Sequence, residues 1–163
     1  MNMPHADGVY GFESAEAASL NLIPLSIRYR LDACAIKLHL QQWQRLLVSE
    51  REQLMRMPFA CADESSAWTV CLTALLQHRC GCLPDRLTDT ALPDWQQLDD
   101  WPSVIIERCI ELDIALPAVA AWRGLCAPDR HALFKLARSR HEYTLLAAAL
   151  LELIGDVEHA HRV

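Results

Sequence analysis

LIPLSIRYRLDACAIKLHLQQW, residues 22–43, decides the fold class. Pro24 carries a fixed backbone angle suited to a first helical turn, and Leu25, Ile27, Leu31 and Cys34 follow at helix-like spacing. The spacing predicts a helix from about Pro24 to Ala35. Ile36, Leu38 and Leu40 then alternate with Lys37 and His39, a weak strand signal that reads as a short extended link. Leu40, Trp43 and Leu47 return to one helical face, so a second short helix ends near Val48. Ser49-Glu50-Arg51-Glu52 has the form of a capping box, in which serine and glutamate satisfy each other's backbone donors, and it starts a third helix running to Arg56.

Outward from this block the same reading continues. Residues 1–16 are small and polar, with Gly8 and Gly11, and form a flexible arm that packs by Tyr10 and Phe12. Asp63 to Ser66 offers N-cap candidates for a fourth helix reaching Leu76 along Ala67, Val70, Cys71, Ala74 and Leu75. Residues 81–101, rich in aspartate and broken by Pro84 and Pro93, read as a long loop held down by Trp95 and leucines. Pro102 introduces a fifth helix, Val119 and Trp122 lie on a sixth, and Pro128 opens a seventh. An eighth, Glu142 to Ile154, is closed by Gly155 acting as a left-handed cap, leaving Asp156 to Val163 frayed. The expected fold is all-α, one compact multi-helix domain over 1–163.

That domain carries an internal echo. Trp43, Leu46, Arg51 and Leu54 share their spacing with Trp122, Leu125, Arg130 and Leu133 at an offset of 79. Pro24, Ile27, Arg30, Ile36 and Leu38 match Pro102, Ile105, Arg108, Ile114 and Leu116 at an offset of 78. Two similar helical units, 23–58 and 102–137, are therefore expected to build the domain. Within each, tryptophan and leucines would fill a core layer while the arginine stem packs across a turn. The functional alternative is that Trp43, Arg51, Trp122 and Arg130 present docking patches, since both residue types dominate interface hot spots. Asp32 is the expected partner of Arg51.

Composition excludes several function classes. Hydrophobic residues at 52% and charged residues at 22% fit a globular core rather than extended disorder. The longest apolar run, Leu145 to Leu151, is far short of the roughly 20 residues that span a bilayer. Met1 to Ser14 has no basic lead into an apolar run, so no secretory signal is expected, and a cytoplasmic location with seven reduced cysteines follows. A net charge of -6 works against nucleic acid and anionic lipid as partners. Charge is nevertheless uneven: residues 23–58 hold six cations against three acids, and residues 59–113 hold three against ten. An ordinary interleaved surface accounts for such runs, and a basic docking face is the sharper reading.

Neither a phosphate loop nor a nucleophile elbow, H-E-x-x-H or paired C-x-x-C motif occurs, and we expect no catalytic, cofactor-binding or metal-binding residues. His78-Arg79-Cys80-Gly81-Cys82 is the one cluster with metal-like chemistry. Three ligands make half a site; a fourth could come from Cys61 or a C-terminal histidine such as His159 or His161, and nothing in the sequence positions them. A helix end with incidental cysteines explains the cluster; a small regulatory or metal/redox module using His78, Cys80 and Cys82 is the alternative function.

The 22–43 block, with Phe12 before it, has the pattern I-P-x-x-x-R-x-[KR]-L-D-x-C-x-[IV]-K-L-x-L-x-x-W, and it resembles the opening of nitrate-reductase-associated proteins. Glu50-Arg51, Leu54, Trp122, Leu125, Arg130, Leu133, Lys135 and Leu136 continue the similarity, which thins between Ala60 and Asp100. The resemblance implies a non-enzymatic accessory or maturation factor for assimilatory, molybdenum-dependent nitrate reductase, acting by protein–protein binding. Candidate partner-binding residues are Arg28, Arg30, Lys37, Trp43, Arg51, Trp122 and Arg130.

Overall fold

The computed structural model describes residues 8–88 and 93–160, with side chains through Gly155. It is all-α apart from one two-stranded ribbon, and the chain divides into two compact units, Met1–Asp89 and Thr90–Val163.

In the first unit, Tyr10 and Phe12 are buried and stacked 5.0 Å apart, as the aromatic anchors of the arm should be. A short helix follows at α1, Ala15–Ala18, capped by the Ser14 hydroxyl. Then come α2 (Leu25–Ala33), β1 (Ile36–Lys37), α3 (Leu40–Arg45), α4 (Val48–Arg56), α5 (Ala62–Cys80) and β2 (Asp85–Arg86). The alternating link does become a strand: β1 pairs antiparallel with β2, Ile36 opposite Arg86 and Lys37 opposite Asp85. Ile27, Trp43, Leu54, Trp68, Leu72 and Leu76 are fully buried in one core. Trp68, Leu72 and Leu76 are spaced four apart, which places them on one face of α5.

Two local expectations are corrected here. The box at Ser49 and Glu52 is not used: α4 begins one residue earlier, Glu50 alone caps it by accepting the Leu47 amide at 2.8 Å, and Glu52 pairs with Arg56 instead. Helix α5 starts before Asp63 and stops only at Gly81, whose φ of +67° is the left-handed turn that glycine adopts without a Cβ penalty, and it buries Trp68, Leu72 and Leu76 rather than the expected stripe, of which Ala67, Val70 and Ala74 are exposed.

The second unit holds a 3-10 turn (Asp94–Gln96), α6 (Ser103–Glu111), α7 (Val119–Gly124), α8 (Ala127–Arg138), a 3-10 turn (Tyr143–Leu145) and α9 (Leu146–Ala160). Here Gly155 is not a cap, because α9 runs through it to Ala160. The expected long loop keeps its anchor, with Trp95 buried against the His131 ring at 5.3 Å; residues 89–92 lie outside the described ones.

The echo has counterparts in geometry. Helices α2 and α6 have nine residues each and sit 78 apart; α3 and α7 have six each and sit 79 apart. Ala35 (φ 53°) and Asp113 (φ 54°) take the same left-handed turn after the first helix of each pair. The Trp43 indole donates to Leu20 O at 2.8 Å, and the Trp122 indole donates to Gln97 O at 2.8 Å. Arg51 and Arg130 lie over these indoles, each 5.9 Å from the ring centroid.

Arg51 organises the first unit most directly. It is 6% exposed and donates to Trp43 O (3.0 Å), Leu20 O (3.0 Å) and Gln44 O (2.6 Å), so backbone carbonyls, not Asp32, hold it. Burial lowers its pKa from the usual guanidinium value. Hydrogen bonds to a charged group contribute roughly 1.5–3 kcal/mol each, and carbonyls left unsatisfied add their own penalty. Arg51→Met should therefore destabilise the protein by about 3 kcal/mol or more in urea unfolding, whereas Lys37→Met at an exposed site should stay within about 0.5 kcal/mol.

Candidate partner-binding site

The seven candidate residues divide by how their polar groups are engaged. Trp43 and Trp122 are 0% exposed, and each spends its only side-chain donor on a backbone carbonyl of its own unit. Arg130 donates to Trp95 O and Leu125 O. Arg30 reaches the C-terminal end of α4, giving hydrogen bonds to Leu54 O (2.8 Å), Met57 O (2.9 Å) and Met55 O (3.2 Å) while lying over the Phe59 ring. A helix end presents carbonyls without helical partners and a partial negative charge, and the guanidinium answers both. Arg108, the counterpart of Arg30, does the same for α8 through Ala137 O. Sequence spacing found these arginines but not their carbonyl partners, because it contains no record of which helix end a side chain reaches.

Arg28 is half-buried and donates from Nε to Ile23 O at 2.9 Å. Lys37 is exposed on β1. Sequence reasoning passed over Arg45, exposed at the end of α3, and over Leu47 and Val48, 51% and 53% exposed where α4 starts. Of Leu40, Trp43 and Leu47, expected on one helical face, only Trp43 is buried, since α3 ends at Arg45 and Leu47 is the non-helical residue before α4. Arg79 of the acidic segment grips Glu50 of the basic one through Nε and Nη2, with the shortest bond 2.8 Å, so this pair joins the minority charge of each segment. That pair is 30% and 14% exposed, and the Arg79 guanidinium holds the Glu50 carboxyl below the usual carboxylate range.

At the end of α5, Cys80 and Cys82 meet Gln42 of α3. Among the described residues, no three His, Cys, Asp or Glu side chains gather as a metal-ion site. The side chains of His159 and His161 lie outside the described ones. Burial pushes the Cys71 and Cys109 thiols up. Cys126, at the start of α8, is pushed up to about 11 by burial of its sulfur and by the Asp129 carboxylate. Part of that residue remains at the surface, so Asp129 is the cause that a substitution can isolate.

A family model described as conserved nitrate reductase-associated protein matches residues 9–153. No curated protein and no solved structure matches the chain.

Two outcomes are expected. Because the folded Glu50 pKa is depressed, its contribution is present above the unfolded value of about 4.3 and is lost as pH falls through the folded value. Glu50→Gln should lower stability near neutral pH, and its unfolding midpoint should converge on that of the wild type in acid. Cys126 should alkylate slowly at pH 8, with roughly a hundredfold less thiolate than an ordinary thiol, and Asp129→Asn should speed it.

Proposed function

The chain belongs to the conserved nitrate reductase-associated protein family, and from that membership we propose that it is an accessory factor for the assimilatory, molybdenum-dependent nitrate reductase. It binds an immature form of the enzyme in the cytoplasm and holds it during cofactor insertion, without catalysing a reaction itself. The observation that carries this reading is the family match across residues 9–153. Such a role needs a stable helical body with charged residues to spare. The arginines buried within the first unit supply stability, while Lys37 and Arg45 keep their charges at the surface.

The docking residues in this reading are Arg28, Lys37 and Arg45, with Leu47 and Val48 as the apolar contribution. Exposed cations steer encounter with an acidic partner and set register, and salt weakens that attraction. Arg30, Arg51 and Trp43 hold the first unit together from inside, and Trp122 and Arg130 do the same within the second.

Deletion of the gene tests the reading, with nitrate reductase transcript, protein, molybdenum content and activity measured together. The expected outcome is unchanged transcript with lower molybdenum loading and lower specific activity. Full loading with unchanged specific activity would sink the maturation role, and lost transcript would point to regulation. Lys37→Glu combined with Arg45→Glu should weaken co-purification with the reductase several-fold, more so at low salt, and leave thermal unfolding unchanged.

A further inference from the structure

Cys80 and Cys82 flank the glycine at which α5 stops. Gly81 at φ +67° reverses the chain, and a Cβ added there would meet nothing within 4 Å, so the turn is open to solvent. The reversal brings both sulfurs against a single residue: Cys80 Sγ donates to Gln42 O at 3.9 Å, and Cys82 Sγ accepts from Gln42 Nε2 at 3.5 Å. Residues two apart have Cα atoms at most about 7.6 Å apart even when extended, and a turn shortens this into the roughly 4.4–6.8 Å span of a disulfide. Cys82 is exposed and Cys80 half-buried, which gives one thiol reach into solvent and the other a protected position behind it.

We propose that Cys80 and Cys82 form a redox-active dithiol that exchanges with low-molecular-weight disulfides of the oxidised glutathione type. Cys82, the exposed sulfur, loses its proton and attacks one sulfur of the external disulfide. That S–S bond breaks, a mixed disulfide forms on Cys82, and the first small thiolate leaves with the proton. Cys80 then attacks Cys82 Sγ, the Cys80–Cys82 bond forms, and the second small thiolate leaves with the Cys80 proton. Two protein thiols are oxidised and one external disulfide is reduced to two thiols, so the exchange balances and reverses with the ratio of the two.

Closing the bond draws the sulfurs toward each other and away from Gln42. The Gln42 side chain is also the acceptor for the His39 amide at 2.9 Å, which caps α3. Oxidation at the end of α5 therefore registers in the first turn of α3. Cys71 and Cys109, whose thiols burial pushes up, and Cys126, raised by its Asp129 neighbour as well, are slower competitors. This inference is independent of the nitrate reductase reading.

The test equilibrates the reduced full chain with mixtures of reduced and oxidised glutathione, then blocks, denatures and counts thiols. The wild type should lose two of its seven thiols, and the tryptic peptide Cys80–Arg86 should lose the mass of two hydrogens. Cys80→Ser should stop at a glutathione adduct on Cys82, and the His39 amide should exchange faster in the oxidised wild type. Seven thiols persisting at every ratio would overturn the proposal, as would a wild type that stops at an adduct, a bond mapped to another pair, or an internal bond that survives Cys80→Ser.

Discussion

The carbonyl of Leu20 is the point on which the first unit depends. It accepts the Trp43 indole and the Arg51 guanidinium together, and Leu20 itself sits at a φ of 60°, which is costly for a residue with a Cβ. Two donors converging on one oxygen hold that strained turn in place. The same Arg51 bonds the carbonyls of Trp43 and Gln44, so the link before α2, the last turn of α3 and the start of α4 share one cation. In the second unit Trp122 and Arg130 make comparable use of the Gln97, Trp95 and Leu125 carbonyls.

This pattern explains how Arg30 and Arg51 are taken into the first unit on backbone carbonyls. Carbonyls at helix ends and in tight links have no helical donors, and each needs a partner from elsewhere. A planar guanidinium with several donors satisfies more than one such oxygen at once, which lysine does less well. Charge used in this way is not available for a partner. In the first unit Lys37 and Arg45 remain exposed, and they carry the proposed docking function together with half-buried Arg28.

Much of the fold was legible in the sequence, but not evenly. The helices at Pro24, Pro102 and Pro128 were placed well, although only Pro128 lies in the first turn and Pro24 and Pro102 are the extended residues just before it; apolar spacing then marks the buried face. Ser49 misled because Glu50 caps the helix from the other register: it accepts the Leu47 amide, a one-sided cap since leucine has no side-chain acceptor, and the Arg79 guanidinium holds Glu50 as well. Gly155 misled because a glycine caps a helix only when its φ is positive, a property that sequence does not state. Of the candidate site, the residue types were found and their engagement was not.

By itself the sequence determined an all-helical chain of the nitrate reductase-associated family, with a repeated tryptophan–arginine spacing in its two halves. Those properties rest on periodicity and backbone restriction over a few residues, which any window of the chain contains. Tertiary structure alone decided that Arg51 meets carbonyls rather than Asp32, that Ile36–Lys37 finds its partner in Asp85–Arg86, and that Cys80 and Cys82 arrive together at Gln42. Each of those contacts joins residues distant along the chain or chooses among equally plausible neighbours. Packing of the helices against one core is what makes the choice, because it fixes which buried polar atom lies within reach of which donor.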